Sequence, residues 1–154
     1  MGKEIERKFL VKGDAWRGAA KGTVCRQGYL NSAMERTVRI RTRGERAFLT
    51  IKGPTEGASR SEYEYEIPLK DGNEMLEALA EKPIIEKKRY RIPFAGLTWE
   101  IDEFFGDNAG LIVAEVELEN EGQIFQKPEW AGEEVTGDPR FFNSNLIRNP
   151  YTLW

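Results

Sequence analysis

A chain of 154 residues, 40% hydrophobic and formally −3 at neutral pH, is long enough for one domain spanning 1–154 with its own core. That charge balance argues against a broad basic grip on nucleic acid or an anionic membrane. There is no histidine, which excludes a Ser-His-Asp or Cys-His nucleophile, a histidine-ligated zinc and a histidine acid or base, and the lone Cys25 excludes an internal disulfide.

The opening stretch GKEIERKFLV (2–11) alternates as a strand, with Glu4, Glu6 and Lys8 on one face and Ile5, Arg7, Phe9 and Val11 on the other. KGDAWRGAAKG (12–22) predicts a short helix capped by Asp14 and closed by Gly22. Cys25 then falls in the first of four predicted strands, 24–30, 36–43, 46–53 and 60–69, as a small core residue. DGNEMLEALAEKP (71–83) predicts the clearest helix, with Asp71 as N-cap, Glu74 completing a capping box, an apolar stripe of Met75, Leu76, Leu79 and Ala80, and Pro83 as the stop. Alternation resumes over 84–92, 97–104 and 111–119. The tail reads as a loop around Trp130 followed by a helical turn at RFFNSNL (140–146), with Trp130 and Trp154 packing within the monomer. No apolar run approaches membrane-spanning length and the N-terminus is charged, so the expected setting is cytoplasmic.

Counting by twos sorts the charges by strand. Arg39, Arg41 and Arg43 share a face, as do Glu62, Glu64 and Glu66; Lys87, Arg89 and Arg91; Glu100 and Asp102; and Glu115, Glu117 and Glu119, while Lys52 adds a further base. The opposite faces carry Trp99, Ile101, Ala114, Val116 and Leu118, which belong against something apolar. The fold this predicts is mainly β: an eight-stranded antiparallel closed barrel, charges turned inward, with a few short helices packed outside. A self-neutralising ion-pair network is the competing explanation for such an interior. Buried ion pairs, however, are often less stabilising than packed hydrophobes by about 1–4 kcal/mol, so the pattern points to a ligand. Arginines and lysines suit phosphate oxygens, and clustered carboxylates suit hard cations such as Mg²⁺ or Mn²⁺. A linear polyphosphate with divalent metal needs both.

At these residues the sequence resembles the CYTH family, the triphosphate tunnel metalloenzymes, whose hallmark Glu-x-Glu-x-Lys strand is found as Glu4, Glu6 and Lys8. The segments RQGYL, RTVRIR, LTIKG, SRSEYEYEI, EKKRYR, WEIDEF, AEVELE and GEEVTGDPRFFNSNL follow in the order of its short bacterial members. The resemblance implies that Lys8, Arg39, Arg41, Lys52, Lys87 and Arg89 hold the phosphate chain of a small-molecule triphosphate. It further implies that Glu4, Glu6, Glu62, Glu64, Asp102, Glu115 and Glu117 form the acidic set. Within that set Glu4, Glu6 and Glu115 are expected at one metal, and Glu62, Glu64 and Glu117 at a second metal and the nucleophilic water, with Lys87 also catalytic. Arg43, Glu66, Arg91, Glu100 and Glu119 are expected at the solvated rim, and Phe141 and Phe142 stand where relatives often carry a tyrosine. The implied reaction is metal-dependent hydrolysis of inorganic triphosphate. Its rivals are a class IV adenylate cyclase, a thiamine triphosphatase and a non-catalytic polyphosphate-binding barrel.

Overall fold

The alternation folds as an antiparallel sheet. The computed structural model describes residues 2–154, with strands β1 (Glu4–Val11), β2 (Thr23–Asn31), β3 (Thr37–Arg43), β4 (Arg46–Lys52), β5 (Ser59–Arg60) and β6 (Glu62–Ile67). After helix α1 (Leu69–Ala78) come β7 (Ile85–Phe94), β8 (Leu97–Phe104), β9 (Ile112–Glu117) and β10 (Ala131–Glu134), and then the short helix α2 (Asn143–Leu146). The spatial order is β10-β1-β9-β8-β7-β2-β3-β4-β6, and β5 pairs with β1. No helix among the described residues is long and apolar enough to cross a membrane.

Two features depart from the predicted closed, eight-stranded barrel: among the described residues there are ten strands, and the ladder they form does not join end to end. The free edge of β1 is shared, its start taken by β5 through Glu4 and Ile5 and its end by β10 through Phe9 and Val11. The run predicted as one strand over 60–69 is split at Ser61, so that β5 reaches β1 while β6 stays on β4. The Glu62 N–H still donates to Gly2 O at 3.3 Å, so the two ends of the sheet are brought together without a continuous seam. The four residues of β10, AGEE, have no β-branched member, and alternation alone gave no sign of them.

The convex face of the sheet forms the main core, with Phe9, Trp99, Ile101, Ala114, Val116 and Leu118 all buried. Its cover comes from the two connections rather than from helices. Trp16 is 1% exposed and stacks edge-on against Tyr90 at 5.0 Å, while Trp130 meets Trp99 at 5.5 Å. Arg7, out of place on an apolar face, lies over the Phe125 ring and forms a bidentate pair with Glu134 at 2.6 and 2.5 Å. Cys25 is buried and free, as expected.

The helix predicted over 12–22 is a series of turns. Gly13 and Gly18 take positive φ of 69° and 86°, which a helix cannot accommodate, and the Asp14 carboxylate binds Arg17 Nε at 2.8 Å instead of capping. Helix α1 begins two residues before the predicted cap, because Pro68 at φ −58° sets the entry; Asp71 becomes a first-turn acid favoured by the helix dipole. Leu76 and Ala80 pack on Ile40, but Leu79 is 65% exposed and lies off the buried stripe.

Gly72 sets how closely α1 approaches the sheet. A Cβ there would lie 2.6 Å from the Ala47 Cβ on β4. Alanine for glycine adds up to about 1 kcal/mol of helix propensity, whereas overpacking against a strand costs about 1–3 kcal/mol. Gly72→Ala is therefore expected to destabilise the fold, seen as a lower urea midpoint.

Candidate active site

Strand register assembles the site. Strands β1 to β9 turn side chains of one parity onto the concave side, and cross-strand neighbours there are Lys8 and Glu115, Glu6 and Glu117, Lys52 and Glu62, Thr50 and Glu64, and Arg89 and Asp102. The result is a cavity of about 200 Å³ lined by Glu4, Glu6, Lys8, Arg39, Arg41, Lys52, Glu62, Glu64, Lys87, Arg89, Glu115 and Glu117. Opposite-sign side chains from six strands thus meet in one place, as the sorted charges predicted. Asp102 does not line it. Of the positions expected at the rim, Arg43 and Glu100 line the cavity, while Glu66 pairs with the exposed Arg46 at 2.7 Å and Arg91 is exposed.

Three groups of contacts divide the wall. Lys52 Nζ lies 3.0 Å from both Glu4 carboxylate oxygens and 3.4 Å from Glu62. Glu64 accepts from Thr50 at 2.6 Å and faces Arg39 and Arg41 at 3.5 and 3.4 Å, yet the Nε of each arginine stays buried with no acceptor. The third group centres on the completely buried Asp102, which receives Arg89 at 2.7 and 2.8 Å and Lys87 Nζ at 2.8 Å, and Arg89 reaches on to the half-buried Glu100 at 3.4 Å. Asp102, expected among the metal-holding acids, thus has both oxygens committed to two cations behind the wall.

The carboxylates titrate differently according to these partners. Burial, then the charges of Glu115 and Glu4, push the Glu6 carboxyl well above the usual carboxylate range. Glu115 is its counterpart: burial opposes ionisation, but Lys8, a hydrogen bond shared with Glu6, and Arg89 bring it down to about 2. Glu62 is raised by burial and by Glu4, and Glu117 by burial, Glu4 and Glu100. Burial works against Glu64 too, yet the Thr50 hydroxyl, Arg41 and Arg39 hold it below its ordinary value. Lys87 is pushed down to about 8 by burial, against the pull of Asp102 and with the help of Arg89. The acidic half of the cavity therefore has more negative charge than its cations neutralise, while the basic half has buried guanidinium donors to spare.

Several lining residues went unread in the sequence. Thr37, Thr50 and Arg60 share the parity of Arg39, Lys52 and Glu62, so the count by twos reaches them once polar as well as charged residues are admitted. Asn143 and Ser144 come from the C-terminal segment, where there is no strand parity to count. That segment is seated by Phe141, Leu146 and Ile147 against Tyr29, Ile85, Phe104 and Val113, and the Phe141 carbonyl accepts from Lys8 Nζ at 3.2 Å.

A curled antiparallel sheet with arginines and lysines facing under-neutralised carboxylates across one cavity defines a protein built to hold a polyanion together with cations. The chain belongs to the CYTH domain family, whose family model matches residues 2–148. It is 56% identical over 151 residues to an inorganic triphosphatase of Acetivibrio thermocellus, with 98% of this chain and 97% of that protein covered. An inorganic triphosphatase of Nitrosomonas europaea is 40% identical over 148 residues, covering 93% and 95%. The crystal structure of an inorganic triphosphatase superposes with a TM-score of 0.67 at 37% identity, over 96% of this chain and 95% of that one.

Proposed function

We propose that this chain hydrolyses inorganic triphosphate in the charged cavity, with Mg²⁺ or Mn²⁺ at the carboxylates. The observation that carries the reading is the division of one cavity into a basic wall, with buried and unpartnered Arg39 and Arg41 Nε groups, and an acidic wall. Its relatives of known activity agree. The chain works on this reading as one domain, in the cytoplasm, without nucleic acid or membrane.

Among the described residues no three acidic, cysteine or histidine side chains are already drawn together as a metal cage. The donor chemistry nevertheless fits a hard divalent cation: all oxygen ligands, with the Glu6 and Glu115 carboxyls near enough that each shifts the other's ionisation, a crowding of negative charge that a proton or a cation relieves. Glu4, Glu6 and Glu115 would hold one ion, and Glu62 and Glu117, with Glu64 beside them, would support a second. Such ions neutralise phosphate charge and make water more acidic at neutral pH. The chain supplies the rest. Lys8, Lys52, Arg39, Arg41, Lys87 and Arg89 fix the phosphate oxygens and offset charge as it develops. Glu62 and Glu117, raised above the usual carboxylate value by burial and by Glu4, are suited to accept the proton of the attacking water, and Lys87, near 8, can hold or release one at Nζ.

A second reading has one observation in its favour. A more apolar groove of about 590 Å³, lined by Met34, Pro54, Pro139 and Phe142, adjoins the cavity and would suit the organic part of thiamine triphosphate or ATP. Incubation with tripolyphosphate and Mg²⁺ or Mn²⁺ should release phosphate faster than thiamine triphosphate or ATP does, and a Glu4→Ala, Glu6→Ala control should not. No release above that control rejects the hydrolase reading, and tight binding without turnover would make the protein a carrier.

A further inference from the structure

Within the basic wall, Lys87 is 1% exposed and its ammonium is held on two sides, 2.8 Å from Asp102 Oδ2 and 3.1 Å from Asn143 Oδ1. An ammonium has donors only, so charge requires that the Asn143 atom facing it be the carbonyl oxygen. That same oxygen accepts from Gln27 Nε2 at 3.0 Å. Gln27 must therefore turn its NH₂ towards Asn143, and its own Oε1 is left buried without a partner. The side chain is completely buried on β2, opposite Arg41 on one neighbour and Ile85 on the other. A buried acceptor with no donor is destabilising, and an apolar side chain of the same length would relieve it.

The position carries an amide all the same, and the one thing this amide does is hold Asn143 against Lys87. We propose that Gln27 and Asn143 are positioning residues for Lys87, fixing its ammonium so that the N–H taken by neither Asp102 nor Asn143 is presented to the phosphate chain. An unbraced ammonium on a four-carbon stem would sample several rotamers; two fixed acceptors leave one. Asn143 also makes the C-terminal segment part of the site, since it opens α2 beside the Phe141 carbonyl that receives Lys8.

This inference rests on the triphosphatase reading. Its test compares the full chain with Gln27→Met, Asn143→Ala and the double variant, measuring kcat and KM for tripolyphosphate with Mg²⁺ or Mn²⁺, and thermal unfolding in parallel. Gln27→Met should lower kcat about tenfold with KM within about twofold, as expected of misplacing a group that acts in the transition state. Its melting temperature should not fall, because the unpaired acceptor has gone. Asn143→Ala should lower kcat about 10- to 100-fold. The double variant should be no slower than Asn143→Ala alone, since Gln27 acts through Asn143. Unchanged kcat in either single variant, losses that multiply, or a raised KM with kcat intact would overturn the inference. Gln27→Leu replaces Gln27→Met should the latter not fold. An inactive wild-type chain would remove the triphosphatase reading itself, whereas an active wild type with unaffected variants removes only this bracket.

Discussion

Glu6→Gln is expected to cut triphosphate turnover about 100-fold or more while making the metal-free protein more stable. The two effects share a cause. Burial and the neighbouring Glu115 and Glu4 hold the Glu6 carboxyl well above its ordinary range, so its ionised form is disfavoured in the fold, and in the proposed reaction a cation would have to neutralise it. A carboxyl raised in this way contributes stability that is fully present below the unfolded value of about 4.3 and is lost as pH rises through the folded value. Glutamine imitates the protonated form and has no such loss. In chelator, the variant and wild type should melt together near pH 4, and the variant should then pull ahead as pH rises to 8. A gap of about 2–4 °C corresponds to ~1 kcal/mol in a domain of this size. Added Mg²⁺ or Mn²⁺ should close that gap by stabilising the wild type alone. Thermal scans across pH, with and without metal, check it; a variant that is less stable than wild type at pH 8 in chelator contradicts the electrostatic account.

The same charges explain how much of the molecule was legible beforehand. A two-residue period survives in any half-buried strand, so β1, β3, β4, β8 and β9 and the common face of Glu4, Arg39, Lys52, Glu62 and Glu115 could be read from spacing alone. Closure could not. Whether a sheet joins depends on pairing between residues far apart in sequence, and the division of the β1 edge between Arg60 on β5 and Glu134 on β10 has no local signature. Helix boundaries failed for a different reason. Asp14 and Asp71 are both good caps by residue type, but positive φ at Gly13 and Gly18 broke the first helix and Pro68 moved the start of the second. Asp102 had the parity of an inward acid. Its true surroundings, two cations and no cavity, are tertiary facts that periodicity does not carry.

Asp102→Asn is expected to have the largest effect on stability. Asp102 is completely buried, with Lys87 at 1% and Arg89 at 8% exposure, and its two oxygens receive three donors from those cations. Removing one member of a buried ion network leaves the others uncompensated, a loss of about 3–5 kcal/mol, well beyond the effect of an exposed pair such as Arg46 and Glu66. Activity should vanish with it, because Lys87 and Arg89 lose the group that holds them on the phosphate side. The pH dependence follows in sign: burial opposes ionisation, but Arg89 and Lys87 outweigh it and hold the Asp102 carboxyl far below the usual aspartate range. A lowered carboxyl contributes stability that is present above the unfolded value of about 3.9 and is lost as pH falls from there towards the folded value. Wild type should therefore lose stability below about pH 4, and Asp102→Asn should lack that part of the loss. Urea unfolding in chelator at pH 7 and pH 3 separates the two roles open to this residue. A large deficit at pH 7 that shrinks at pH 3 marks Asp102 as the anchor of the basic wall. A variant as stable as wild type in chelator, but needing more metal for activity, would restore Asp102 to the metal-holding set.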